Sequence, residues 1–284
     1  MTHIVQFSGG KDSTALVLWA KENLPEFTAV FCDTGWEHPL TYAYVQHINE
    51  TLLGGKLVTL RTHKYANGML DLVAHKQMIP AVRARFCTEE LKVLPFIAWM
   101  DEQGFGDATV YQGIRADESQ ARSKMPRRVY NDNFGAWIER PLFDWTAEAC
   151  FALMKRYGVA PNPLYKAGSA RVGCFPCVMV NLGELRRLTH TMPEVWDRIL
   201  EMEAAVRDSK AANLDSKHPN YEPSFFRNNI IPDRFQTGWR EDTGKTYATV
   251  ADVRRYIESA DEDQIRMWGR CTESGCLSVY NLCE

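Results

Sequence analysis

Between a short apolar run, His3 to Phe7, and a stretch from Asp12 to Glu22 carrying Leu16, Val17, Trp19 and Ala20 stands the segment Ser8-Gly9-Gly10-Lys11-Asp12-Ser13. The flanking patterns predict a strand and a helix, so the segment is the tight turn between them. Backbone N–H groups and the positive end of a helix can surround an anion at such a turn. Gly9 and Gly10 permit the close approach, Ser8 and Ser13 add hydroxyl donors, and Lys11 places a cation against phosphate oxygens. The spacing is neither that of a Walker A loop nor that of a dinucleotide fingerprint.

The cysteines are the second chemical signal. There are 8 in 284 residues, and in a reducing compartment their spacing suggests metal ligation or redox chemistry before disulfides. Gly173 precedes Cys174-Phe-Pro-Cys177, a turn able to point two thiolates at one metal. Cys271, Cys276 and Cys283 follow near the end. The expected ligand set is Cys174, Cys177, Cys276 and Cys283, with Cys87 and Cys271 as rivals. Four sulfurs suit Zn²⁺ and a [4Fe-4S] cluster equally well; unligated thiols are the third alternative. Cys32 and Cys150 fall in a strand and on an apolar helix face and read as small buried hydrophobes.

Alternating strand and helix signals must position these groups. Phe27 to Cys32, Lys56 to Arg61 and Thr109 to Gly113 read as strands, with helical stretches after Pro39 and over Thr88 to Glu102. Such alternation predicts an α/β fold with a doubly wound, mostly parallel sheet over residues 1–165. Thr146 is expected to cap a helix that Gly158 closes. A smaller helical, cysteine-rich domain is expected over 166–284, with Thr191 and Glu194 as a capping box before Val195 and a short helix over Val250 to Ile257.

Asp12 and Asp33 both follow predicted strands, at the mouth where open α/β sheets bind ligands. Arg115 and Arg122 could clamp a phosphate-like group bidentately, whereas Lys124, Arg127 and Arg128 read equally well as a solvated loop. Trp36, Tyr165, Trp239 and Trp268 could stack on a base, but packing is the expected role. The seven histidines lack metal-ligand spacing. A net charge of -3 excludes a global field that drives nucleic-acid or anionic-lipid binding. Without an apolar run of membrane-spanning length or a signal-like start, a cytoplasmic protein with no membrane partner is expected.

Ser-Gly-Gly-Lys-Asp-Ser resembles the PP-loop of the ATP pyrophosphatase superfamily. Phe31-Cys-Asp-Thr-Gly, Cys87-Thr-Glu-Glu-Leu-Lys-Val-Leu-Pro and Gly113-Ile-Arg-Ala-Asp-Glu-Ser-Gln-Ala-Arg resemble, in order, three segments of its phosphoadenosine phosphosulfate (PAPS) reductase branch. The tail Cys276-Leu-Ser-Val-Tyr-Asn-Leu-Cys283-Glu is similar to endings of iron-sulfur members, including relatives of the ATP pyrophosphatase of DNA phosphorothioation. The resemblance implies an adenine nucleotide alpha hydrolase-like fold that holds ATP, or PAPS or adenosine phosphosulfate (APS), with Mg²⁺. The implied nucleotide contacts are Ser8, Gly9, Gly10, Lys11, Asp12, Ser13, Asp33, Thr34, Gly35, Gly113, Arg115 and Arg122; Lys11, Asp12 and Asp33 would serve catalysis. The implied reaction is cleavage of ATP to AMP and pyrophosphate with adenylation of a nucleic-acid or small-molecule acceptor, which a sulfur donor could then thiolate. The alternatives are a sulfonucleotide reductase that releases sulfite with thioredoxin, and a zinc-stabilised nucleic-acid-binding module. The reductase family ends in a Glu-Cys-Gly-Leu/Ile-His-like tail, whereas this chain ends in Asn-Leu-Cys-Glu.

Overall fold

The computed structural model of the chain describes residues 2–212, 221–226, 229–241 and 243–261. Cys271, Cys276, Cys283 and Trp268 lie outside the described residues. The chain begins with β1 (Thr2–Gln6), α1 (Lys11–Asn23), β2 (Thr28–Cys32), α2 (Pro39–Thr51), β3 (Val58–Leu60) and α3 (Met69–Lys76). A short turn of helix, α4 (Phe86–Thr88), continues through a wide π-type turn over Glu89–Val93 into α5 (Leu94–Gln103). β4 (Ala108–Tyr111), β5 (Arg128–Asn131), β6 (Ala136–Glu139) and α6 (Ala147–Arg156) follow. Beyond them come α7 (Leu182–Thr191), α8 (Val195–Ala212), β7 (Gly238–Arg240), β8 (Lys245–Tyr247) and α9 (Val250–Glu258).

The main sheet has the order β3-β2-β1-β4-β6-β5. All its pairings are parallel except β5 with β6, so the expected doubly wound, mostly parallel sheet is present. The chain winds from β1 outward through β2 to β3, then returns to the other side of β1 with β4. The crevice between the ends of β1 and β4 is therefore the switch point, where such sheets accept ligands.

Alternation along the strands fixes which face each helix covers. Val5 packs with Leu16, Ile48 and Leu153 of α1, α2 and α6, whereas its neighbour Ile4 packs with Val30, Phe96 and Val110 on the α5 side. Both faces are thus dry, as a parallel sheet requires. A third apolar cluster joins Leu72 of α3 and Trp36 to Leu188, Ile199 and Val253 of α7, α8 and α9. Thr146 caps α6 by accepting from the Ala149 amide at 3.2 Å, and Gly158 takes φ +67° beyond its end.

One expected cap is corrected. Thr191 ends α7 instead of opening α8, and its hydroxyl donates to the Ala167 carbonyl at 2.6 Å. The cap in this region belongs to Asn181, whose side chain accepts from the Glu184 amide at 2.9 Å. Trp239 differs as well: it is 58% exposed instead of packed.

Candidate functional site

The turn from β1 into α1 is a shaped backbone cradle. Gly9 takes φ +81°, and a Cβ there would stand 3.1 Å from Val45 and 3.3 Å from Thr41 of α2. Ser13 braces the turn by accepting from the Ser8 amide at 3.1 Å and donating to the Gly10 carbonyl at 3.1 Å. Asn162 donates to the Gly9 carbonyl at 3.2 Å. The carbonyls are thereby held away, and the amides of Gly9, Gly10 and Asp12 have no hydrogen-bond partner among the described residues. The Lys11 amide instead donates to the Tyr165 hydroxyl at 2.9 Å.

Asp12 faces inward from this helix end. Its carboxylate accepts from Lys11 Nζ at 2.9 Å and from Nε of the buried Arg115, which reaches it from the loop after β4. Burial alone would raise the Asp12 pKa, but Lys11 and Arg115 outweigh it and hold the carboxyl below its ordinary range. Gly113 makes this approach possible, because a Cβ there would lie 3.0 Å from the Asp12 carbonyl. Arg115 also pairs with Asp117, and the buried Arg122 pairs with Glu118. Arg140, just after β6, stands near Arg122; desolvation and the Arg122 charge lower its pKa to about 10.

The end of β2 forms the neighbouring wall. Asp33 Oδ1 accepts from the Gly35 amide at 2.8 Å and lies 2.7 Å from the Tyr42 hydroxyl, which stands 3.0 Å from Glu37 Oε2. Glu37 is buried and takes further hydrogen bonds from the Thr34 amide at 3.2 Å and the Thr34 hydroxyl at 2.7 Å. Desolvation, opposed by the Lys92 cation, raises the Glu37 pKa. Gly68 closes the loop: at φ +61°, a Cβ there would sit 2.1 Å from the Thr34 carbonyl oxygen.

The cysteine turn docks onto this same wall. Glu37 and Cys174 form an isolated antiparallel bridge, and the Thr34 hydroxyl lies 3.6 Å from Cys174 Sγ. Desolvation pushes the Cys174 thiol up, with smaller upward contributions from Glu37, Cys177 and Cys87, so the last two thiols are its electrostatic neighbours. As they stand, no group of three or more His, Cys, Asp or Glu among the described residues is gathered closely enough to hold a metal ion. Cys276 and Cys283, expected to share the site, lie outside the described residues. Cys150 is buried beside Asp12, its Sγ 3.6 Å from Oδ1, and desolvation pushes its thiol to about 12.

Gly113 and Arg115 thus meet the Ser8 to Ser13 turn at Asp12, whereas the buried Arg122 joins this group only through Glu118, which also accepts from the Arg115 amide. Asp33, Thr34 and Gly35 stand together at the end of β2. Trp36 is buried, with its indole N–H on the Pro176 carbonyl at 3.1 Å. Sequence reasoning missed Asn162, Tyr42, Glu37 and Arg140, and it gave Tyr165 a packing role in place of its hydrogen bond to the Lys11 amide. Only Asn162, in Pro-Asn-Pro, carried a local signal, that of a turn; the other roles arise from contacts between distant segments.

A family profile described as "Phosphoadenosine phosphosulfate reductase domain" matches residues 2–180. An uncharacterized 37.8 kDa protein of Escherichia phage 186 is 33% identical over 257 residues, covering 72% of this chain and 75% of that protein. An adenosine 5'-phosphosulfate reductase of Streptomyces coelicolor is 28% identical over 162 residues, covering 56% of this chain and 64% of that enzyme. Among solved structures, the PAPS reductase of Candida auris in its phosphate complex aligns with TM-score 0.50 at 18% identity, over 62% of this chain and 83% of that one. That likeness extends to the fold, and the profile match spans the phosphate loop, the arginine loop and the cysteine turn; this chain belongs to the PAPS reductase domain family.

Proposed function

We propose that the protein binds an adenine nucleotide at the β1–β4 crevice and cleaves ATP between the α and β phosphates, adenylating an acceptor. The observation that carries this reading is the set of three unpartnered amides, of Gly9, Gly10 and Asp12, beside Lys11 at the switch point. An acceptor oxygen would attack the α-phosphorus in line, the bond from that phosphorus to the bridging oxygen would break, and pyrophosphate would leave with the bonding pair. The amides and Lys11 Nζ meet the charge that develops on the leaving group. Asp12, held between Lys11 and Arg115, acts by positioning Lys11. Mg²⁺ bound with the nucleotide would supply Lewis-acid polarisation, and Asp33, at the end of β2, is the carboxylate that would help hold it.

The pair of thiols in the cysteine turn supports a soft metal centre for which Cys174 and Cys177 supply two ligands; Cys276 and Cys283, or Cys87 in place of one of them, would complete it, with [4Fe-4S] as the proposed occupant and Zn²⁺ as the alternative. When bound, it would supply either a sulfur-handling centre or a structural clamp between the two loops. Because metal binding removes thiol protons, it would work against the desolvation that raises the Cys174 pKa.

The likeness to named sulfonucleotide reductases favours a second reading, in which a thiolate takes sulfite from PAPS or APS and thioredoxin releases it. That chemistry needs an activated thiol; Cys32, Cys150 and Cys174, three of the five cysteines among the described residues, are shifted toward the inert thiol form, which leaves Cys87, Cys177 and the cysteines beyond the described residues as its candidates.

Pyrophosphate release from ATP, followed on anaerobically purified protein with iron, sulfide and zinc analysis, tests the reading. Wild type is expected to release pyrophosphate, and Lys11→Ala to lose that release while keeping its metal. Full activity in Lys11→Ala contradicts the assignment. Thioredoxin-dependent sulfite release from PAPS or APS without ATP cleavage replaces it with the second reading.

A further inference from the structure

Beyond Cys177, the chain lines a cavity of about 190 Å³ whose walls include Val178, Met179, Tyr221, Phe225, Phe226 and Arg240. It is separate from the residues of the phosphate crevice, and neither the family nor the reaction above assigns it an occupant. Three features define what it would take. The first is size: an apolar cavity of about 150 Å³ accepts a benzene ring, whereas pockets for drug-sized ligands run from about 300 Å³ upward. The space therefore suits a single ring with its substituents.

The second feature is the wall chemistry. Phe225 and Phe226 meet edge to face at 5.4 Å, and the Arg240 guanidinium lies 5.1 Å from the Tyr247 ring and 6.0 Å from the Tyr221 ring. Aromatic and methionine walls favour a flat, polarizable guest. The third is an unmet donor. Arg240 Nε is buried without a hydrogen-bond partner among the described residues. A buried donor in that state is costly, and an acceptor atom on the guest would satisfy it. With no carboxylate among the lining residues, a cationic guest is disfavoured.

We propose that this cavity binds a planar heteroaromatic ring carrying hydrogen-bond acceptors, of pyrimidine-base size, with a ring carbonyl or ring nitrogen directed at Arg240. The cavity adjoins the Cys177 turn: Val180 donates to the Cys177 carbonyl at 2.9 Å. The ring is therefore assigned to the acceptor of the reaction, an assignment that rests on the proposed function; binding of the ring does not. The same ring could arrive as a free nucleoside or within a nucleic-acid strand.

Uridine and cytidine titrated calorimetrically into the full chain, with saturation-transfer NMR to locate the contact on the ring, test the proposal. Saturable binding is expected, weakened about tenfold or more by Arg240→Gln, which removes a charge-assisted hydrogen bond. Ala81→Trp, which places an indole at the cavity wall and leaves Arg240 itself unchanged, should weaken it as strongly, so the test survives misfolding of either variant alone. Lys11→Ala should leave ring binding intact, so that loss of pyrophosphate release and loss of ring binding are separate failures. Tighter binding of a short pyrimidine oligoribonucleotide, equally sensitive to Arg240→Gln, supports a strand as the source; affinity equal to the nucleoside's supports a free nucleoside. Absence of saturable binding, or binding unmoved by both cavity variants, overturns the proposal.

Discussion

The Phe175 amide donates to the Trp36 carbonyl at 2.8 Å, so the turn that carries Cys174 and Cys177 is fastened to the loop that carries Asp33, Thr34 and Gly35. The indole of Trp36 returns the contact to Pro176, and Arg198 of α8 lies 4.2 Å over its ring and donates to the Glu37 carbonyl at 3.0 Å. One tryptophan thus joins strand end, cysteine turn and helix. Trp36→Phe should keep the apolar packing but leave the Pro176 carbonyl unpaired. The expected cost is about 1–3 kcal/mol, read from the midpoint and slope of a urea titration. An unchanged midpoint would show that the contact is incidental.

Gly113 is where β4 lets the arginine loop close on α1. In Gly113→Ala the new Cβ, 3.0 Å from both the carbonyl carbon and oxygen of Asp12, must push the cradle aside. Overpacking of this kind costs about 1–3 kcal/mol, and nucleotide affinity should fall by at least about tenfold, since backbone amides tolerate little displacement. Calorimetric titration of ATP checks it; wild-type affinity would mean that the amides do not hold the phosphates.

Tyr165 occupies an amide that the phosphate could use. Removing its hydroxyl in Tyr165→Phe frees the Lys11 N–H, and a net hydrogen bond of about 1 kcal/mol corresponds to roughly fivefold tighter binding of the nucleotide. Weaker binding would instead make the hydroxyl a part of the ligand site.

Glu37 gives the fold a pH signature. Its native pKa lies above the ordinary 4.5 because desolvation outweighs Lys92 and the Thr34 hydrogen bond. Over that window the native state holds more protons than the unfolded state, so stability falls as pH rises from about 4.5 through the raised value. Glu37→Gln can keep the three donors on Oε2, and its amide can donate to the Thr34 hydroxyl oxygen. The variant should therefore gain on wild type with rising pH, most of all above the raised pKa. Asp12, whose pKa is lowered from 3.8, acts in the opposite sense at lower pH, its contribution disappearing on acidification. A wild-type minus variant stability difference that is flat with pH contradicts the Glu37 account.

Much of this architecture was legible because it is local. The strand–turn–helix at Ser8 to Ser13, the cap at Thr146 and the stop at Gly158 follow from neighbours within a few residues. The Thr191–Glu194 box misled because its residue types fit a cap, whereas Asn181, three residues before Glu184, offers the same chemistry where the helix begins. What escaped is long-range: Lys11 and Tyr165 are 154 positions apart, and the pairing of Arg115 with Asp12 depends on a β4–β1 adjacency that no spacing announces. The influence of Cys87 on the Cys174 thiol is likewise one between segments far apart in the chain, which no local spacing announces.

The most direct measurement is a crystal structure of the protein with an ATP analogue whose α–β bridge is a non-cleavable methylene. The β and γ phosphates should lie within hydrogen-bond distance of the Gly9, Gly10 and Asp12 amides, with Lys11 Nζ against their oxygens. Phosphates lodged away from that turn would contradict the account.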